Sequence, residues 1–267
     1  MKIHQYVRPK TLEEAYSLVQ EKNGFLIGGG AWSRMNTRSV ELAVDLSLLE
    51  LDYIRVSSDK AEIGAMATAR AVETSPDLEK AFGPLLREAV THIVGVQMRN
   101  IVTVGGTVAG KYGFSDLITA LLALDAQVEL YRGKEIPLND FMQTSSEKHR
   151  LIEKISIKRG EVKGAFTSMR KTHTDFPVLN TAAVWREGGW KVAVGARPGA
   201  AQLSEKAASV LGSEQRPSEE TAAQAAKEAA EELSFGSDLR GSSEYRKQIS
   251  KALVRRTILE ASEEASK

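Results

Sequence analysis

Apolar and polar positions along this chain follow a period that changes several times. Thr11-Leu12-Glu13-Glu14 has the spacing of a capping box, with Thr11 as N-cap and Glu14 three residues on. Ala15, Leu18 and Val19 continue it as one apolar stripe, which predicts a helix. Phe25-Leu26-Ile27 reads as a short strand running straight into glycines, and Leu42 to Leu46 as the next strand. Strand, loop and strand around a helix at this spacing predict a small α/β unit.

From about residue 53 a second block follows. Ala61 to Thr68 alternates as a strand does. Pro84 to Val94 is helical in pattern, with Leu85, Leu86, Ala89, Val90 and Ile93 on one side. Ile101 to Val104 is β-branched and predicted extended. Ser115 to Leu124 predicts a helix with a broad apolar face, Ser115 as N-cap and Asp116 in the first turn, where the helix dipole favours an anion. Val128 to Tyr131 and Leu151 to Ile157 read as further strands.

Lys158 to Glu161 marks a boundary. Beyond it, Ala182 to Trp185 and Trp190 to Val194 flank Gly188-Gly189, a hairpin signal. Helices are then predicted at roughly 201–211, 218–233 and 243–263, the Ala-rich Ser218 to Glu232 stretch being a surface helix. The predicted fold class is α+β, divided into 1–52, 53–160 and a C-terminal α+β domain at 161–267, a small antiparallel sheet with helices.

A length of 267 residues suits two or three subdomains. The net charge of +1 supplies no field for nucleic acid or a membrane surface. The chain has no cysteine, which excludes disulfides, thiolate nucleophiles and cysteine-ligated iron–sulfur clusters within it; redox chemistry here needs an organic cofactor. The polar opening Met1 to Tyr6 is no secretory signal, and no stretch matches a membrane span, so a cytoplasmic location is expected.

Two glycine segments carry the candidate chemistry. In Leu26-Ile27-Gly28-Gly29-Gly30-Ala31-Trp32-Ser33, three glycines free the backbone to aim several N–H groups into one concavity that suits a phosphate. The plainer reading is a tight surface turn. Thr103-Val104-Gly105-Gly106-Thr107 repeats the theme in the second block, and a dinucleotide pyrophosphate is a ligand that two such loops can share. Neither matches a P-loop or G-x-G-x-x-G. His4, His92, His149 and His173 form no metal-site pattern and read as surface or loop histidines.

Arg99-Asn100-Ile101-Val102-Thr103-Val104-Gly105-Gly106, then Ser115-Asp116-Leu117 and Leu121-Leu122-Ala123-Leu124, resemble the FAD-binding subunits of the molybdenum hydroxylases, the family of xanthine dehydrogenase and carbon monoxide dehydrogenase. Tyr6 to Ala15, Ala182 to Val184, Gly195 to Pro198, Asp238 to Arg246 and Leu253 to Arg256 extend the resemblance along the chain. It implies a two-subdomain FAD-binding fold of the vanillyl-alcohol oxidase (PCMH) type followed by a flavoprotein C-terminal domain. It implies non-covalent FAD, with Leu26 to Ser33 around the pyrophosphate. Thr103, Gly105, Gly106 and Thr107 would form the second phosphate loop, and Asp116 would lie near the ribityl chain. Asp116 also reads as an ordinary first-turn carboxylate.

Ile93 and Ile152 match apolar positions near the rings, and equally read as core. Trp32, Tyr112 and Phe114 are placed either to stack on a ring or to pack as core or lid. The chain departs from the family pattern at Ala31, at Thr107, at Lys111 to Phe114, and near Thr167, where the family's lysine is absent but Arg170 and Lys171 lie close. Arg240, Arg246, Arg255 and Arg256 read as a solvated charged face or, by resemblance, as contacts with neighbouring subunits.

The resemblance implies a redox subunit with no catalytic side chain and no metal of its own. It would take electrons from an iron–sulfur subunit of a complex that also holds a molybdopterin subunit, and pass them to NAD+ or another acceptor. A non-enzymatic assembly subunit with weakened FAD binding and a free-standing flavin oxidase are the alternatives.

Overall fold

The computed structural model describes residues 1–144, 151–186 and 188–263; His149 lies outside them. The first block holds β1 (Lys2–Val7), α1 (Leu12–Lys22), β2 (Phe25–Ile27), a 3-10 turn (Ser33–Met35) and β3 (Ser39–Asp45). The three strands form a parallel sheet in the order β1-β3-β2. Thr11 caps α1, its hydroxyl accepting the Glu14 N–H at 3.1 Å. β1 was not expected: Lys2 to Tyr6 are exposed on both faces, so the strand has no apolar alternation to announce it.

The second block contains β4 (Ile54–Val56), β5 (Lys60–Gly64), α2 (Ala69–Glu73), α3 (Pro76–Phe82) and α4 (Leu85–Thr91). It continues with α5 (Val96–Arg99), α6 (Val104–Gly110), α7 (Asp116–Ala123), β6 (Gln127–Leu130), β7 (Glu135–Pro137), α8 (Leu138–Gln143) and β8 (Ile152–Lys158). Its sheet is antiparallel in the order β4-β5-β8-β6-β7. The extended Ile101 to Val104 expected from the β-branched run does not form. Thr103 makes one isolated bridge to Thr68 and then becomes the N-cap of α6, its hydroxyl accepting the Gly106 N–H at 3.3 Å. With no ladder partner beyond that bridge, the cap decides the conformation.

The third block comprises β9 (Val162–Met169), β10 (Leu179–Arg186), β11 (Gly189–Gly195), β12 (Gln202–Leu203), α9 (Glu205–Leu211), α10 (Glu219–Glu232) and α11 (Ser243–Glu263). Its sheet is antiparallel in the order β12-β11-β10-β9. The predicted hairpin forms, whereas the helix expected from 201 starts at Glu205 because Gln202 and Leu203 pair with β11 and Ser204 caps. In α10, Ala222, Ala225, Ala226, Ala229 and Ala230 make the buried face, a stripe of small side chains that lets α11 and α9 pack close.

Period-two alternation gives the third sheet two different faces. Leu179 and Ala183 of β10 face the C-terminal helices, while Ala182 and Val184 join the core of the first two blocks, beside α4 and α7. The sheet is therefore shared by two cores, and polar side chains on its inner face reach the second block.

Arg246 departs from the solvated reading. It is fully buried and donates to the carbonyls of Val178 at 2.9 Å, Gly236 at 2.9 Å and Gly241 at 2.6 Å, and to Asp238 Oδ1 at 2.5 Å. It ties the 236–241 loop to α11. Among the described residues no helix is long and apolar enough to cross a membrane. Replacing Arg246 by Leu leaves the Val178 and Gly236 carbonyls without their arginine donor and breaks the tie to Asp238; a loss of about 3 kcal/mol in unfolding free energy is expected from urea denaturation.

Candidate functional site

The first glycine segment leaves β2 and turns back at Gly30, whose φ of +71° lies in the left-handed region. Leu26 and Ile27 are half-buried in β2, and Ser33 opens the 3-10 turn. Among the described residues, the main-chain N–H groups of Gly28 to Trp32 donate to no protein acceptor. The loop lies against the chain that leads into the second glycine pair. A Cβ at Gly29 would overlap the Ile101 carbonyl, and one at Gly28 would stand 2.7 Å from Thr103 Oγ1. The two segments, distant in sequence, thus meet backbone to backbone.

Gly105 and Gly106 occupy the first turn of α6 rather than a loop. Gly105 is buried, and a Cβ there would come within 2.6 Å of Ala65 Cβ. Gly106 is exposed. Thr107 donates its hydroxyl to the Thr103 carbonyl at 2.9 Å.

Beside these segments opens a cleft lined by Trp32, Ile93, Thr107, Asp116, Arg170 and Phe176 among others. One wall is aromatic. Trp32 packs on Phe114 and on Phe176, each at 5.6 Å between ring centres; Tyr112 stacks on Phe114 at 5.2 Å; Phe114 meets Phe176 at 4.4 Å. The other wall is polar. Asp116 is 3% exposed; its Oδ2 accepts from Arg170 Nη2 at 2.6 Å and its Oδ1 from Asn180 Nδ2 at 2.8 Å. Burial pushes its carboxyl above the usual carboxylate range, while Arg170 and Asn180 pull it back; the net direction is upward.

The structure brings Trp32, Thr107 and Asp116 to the cleft and sets Gly28 and Gly29 against the Ile101–Thr103 chain. Ala31 is 5% exposed and joins the core. Ile152 is absent from the cleft lining: it opens β8, pairs with Leu130 of β6 and packs in the core. Ile93 is the apolar match that does reach the cleft.

Sequence reasoning missed Phe176, Asn180 and the part played by His92. His92 is half-buried at the cleft, its ring edge-on to His173 at 4.7 Å, and its Nδ1 is buried without a partner among the described residues. Burial first, then the charges of Arg170, His173 and Arg99, lower its pKa. The sole signal in the sequence for Phe176 is an aromatic between Asp175 and Pro177.

The residues fit a dinucleotide flavin at two points. Glycine backbones with free N–H groups face a stretch that any larger side chain would crowd, and an aromatic wall stands opposite a hydrogen-bonding carboxylate. Comparisons with known proteins agree. Residues 2–158 match the family described as the FAD binding domain in molybdopterin dehydrogenase, and residues 164–261 match the CO dehydrogenase flavoprotein C-terminal domain. The nicotine 6-hydroxylase medium subunit of Paenarthrobacter nicotinovorans is 29% identical, the match covering 96% of each chain. Quinoline 2-oxidoreductase of Pseudomonas putida 86 superposes with a TM-score of 0.89 at 25% identity, over 98% of both chains. The carbon monoxide dehydrogenase of Hydrogenophaga pseudoflava shares the fold, with a TM-score of 0.89 at 24% identity over 98% of this chain and 97% of that one.

The cleft also carries a pH dependence. NMR titration should place the His92 midpoint below the ordinary 6.5. Because the folded-state value is depressed, the stability that neutral His92 supplies is complete above about pH 6.5 and is lost as pH falls through the folded value. A midpoint at or above 6.5 would contradict this.

Proposed function

Because the chain belongs to the family of FAD-binding domains of molybdopterin dehydrogenases, with FAD as its cofactor, we propose that it is the flavin-carrying subunit of a molybdenum hydroxylase complex. It takes electrons from an iron–sulfur partner, itself fed by a molybdopterin subunit, and delivers them to NAD+ or another acceptor. The observation that carries this reading is the close contact of the two glycine segments, Gly29 on the Ile101 carbonyl and Gly28 on the Thr103 hydroxyl.

In this reading the N–H groups of Gly28 to Ser33 hold the pyrophosphate through the main chain, with Leu26 and Ile27 fixing where the loop leaves the sheet. Gly105 and Gly106 let the backbone of the second segment approach from the other side. The Thr103 hydroxyl is committed to the α6 cap and the Thr107 hydroxyl to the Thr103 carbonyl, so both keep that backbone in place. Asp116 keeps unused acceptor capacity for ribityl hydroxyls, since among the described residues two donors take up two of its lone-pair sites. Trp32, Phe114 and Phe176 keep water from the ring side. When bound, the flavin supplies a carrier that takes up and releases electrons singly or in pairs. No triad or metal is needed from this chain. Its lack of cysteine assigns the iron–sulfur clusters to a partner.

The purified chain should be yellow, or take up FAD on titration. Gly29→Val should weaken binding by at least about 100-fold, roughly 2.7 kcal/mol, and Gly105→Val likewise, with Trp32→Ala losing less. Circular dichroism of the Gly29→Val variant controls for folding. Unchanged FAD binding in both glycine variants would refute the placement. Co-purification with a Cys-rich and a molybdopterin-type partner, and NADH bleaching of the flavin absorbance, test the electron route; absence of any such partner would favour the free-standing oxidase, and partners without FAD uptake the assembly subunit.

A further inference from the structure

We propose that Asn180 is a positioning residue for the cofactor site: from the C-terminal sheet it fixes the carboxylate of Asp116, so the site is complete only when that sheet is docked. This rests on FAD occupying the cleft as proposed above.

Asp116 is the first residue of α7, where a carboxylate would ordinarily turn to the free N–H groups of the helix end. Here Ser115 already caps the helix, accepting from the Ile118 N–H at 3.2 Å. The Asp116 carboxylate points elsewhere, and its two donors, Asn180 and Arg170, belong to β10 and to the chain just beyond β9. Neither lies in the segment that carries the glycine loops.

Asn180 is itself held. It is fully buried, and its Oδ1 accepts from Thr119 Oγ1 at 2.9 Å. The Thr119 hydroxyl also lies 3.2 Å from the Ser115 carbonyl. Thr119 is three residues beyond Asp116 on the same helix face, so one amide spans the turn, donating to Asp116 and accepting from Thr119. A flipped amide would set its oxygen against the carboxylate, so the network admits one orientation.

Space for this amide comes from a glycine. Gly195 of β11 is the register partner of Asn180, and a Cβ there would collide with both Asn180 Oδ1 and Thr119 Oγ1. A buried amide, a buried hydroxyl, a glycine that makes room and an arginine thus converge on one carboxylate that lines the cleft. The remaining acceptor sites of Asp116 are aimed by these contacts.

The test uses the full chain with FAD as probe, reading affinity by fluorescence titration and stability by thermal unfolding. Asn180→Leu, which keeps volume and removes both polar atoms, should weaken FAD binding by about tenfold or more. In an Asp116→Asn background it should cost nothing further, because the two act through one contact. Thr119→Val should give a smaller loss in a chain that folds normally, and decides the matter if Asn180→Leu does not fold. The swapped pair Asp116→Asn with Asn180→Asp keeps the hydrogen bond and one buried carboxylate while moving the charge to position 180. It should restore the melting temperature but not FAD affinity.

Wild-type affinity in Asn180→Leu and Thr119→Val, additive losses, or restored FAD affinity in the swapped pair would each overturn the proposal while leaving the cofactor assignment intact. A wild-type chain that takes up no FAD would instead end that assignment, and this inference with it.

Discussion

A carboxylate buried at the start of a helix is costly unless donors replace the water it has lost, and the fold is arranged around supplying them to Asp116. Its charge cannot be satisfied within its own block. Arg170 and Asn180 reach it from the C-terminal sheet, so that sheet must lie against α7 with its inner face inward. Docking is also apolar: Ala182, Val184 and Ala193 enter the core of the first two blocks. Apolar packing supplies the bulk of the attraction, and the polar contacts fix register, because a one-residue slip in β10 would turn Asn180 to the wrong face.

The same docking builds the cleft. The loop between β9 and β10 carries Arg170, Asp175 and Phe176 to the edge of a site whose other parts come from the first 116 residues. Close approach of the peptide backbone does the rest. Gly29 rests on the Ile101 carbonyl and Gly105 on Ala65, and at each place a methyl group would force the segments apart. The proposed binding through main-chain N–H groups would tolerate Ala31, which has no polar side chain to offer, because the donors belong to the backbone. An electron-carrying subunit needs such a site more than reactive side chains, since the flavin brings its own chemistry.

One departure from the family pattern, Lys111 to Phe114, supplies part of the aromatic wall. Tyr112 and Phe114 stack with Trp32 and Phe176 into one continuous surface. Lys111, which precedes them with a left-handed φ of +48°, sends its ammonium to the carbonyls of Phe141 at 2.5 Å and Thr144 at 2.8 Å, so it braces α8 and brings no charge to the cleft. The segment Lys111 to Phe114 therefore shapes the wall of the cleft and leaves its polar side in place.

Local chemistry announces itself in the sequence. The Thr11 and Ser115 caps, the leucine-rich face of α7, the Gly188-Gly189 hairpin and the alanine stripe of α10 each depend on neighbours within a few residues, and these elements form where the pattern places them. The first glycine turn was legible for the same reason, as was the fold class through the order of motifs along the chain, whereas the second glycine pair, read as a loop, opens α6. What depends on distant partners was not. β1 exists because β3 pairs with it, Thr103 caps a helix because no ladder takes it up, and Ile152 lies in the core because β6 covers it. Arg246 is buried because the 236–241 loop closes over it. The sequence by itself determined the backbone half of the site, since glycine freedom and helix caps are local properties. Only the tertiary structure decided the polar half, because a buried carboxylate takes its donors from whichever segment folding brings within 3 Å, and Asn180 stands 64 residues away.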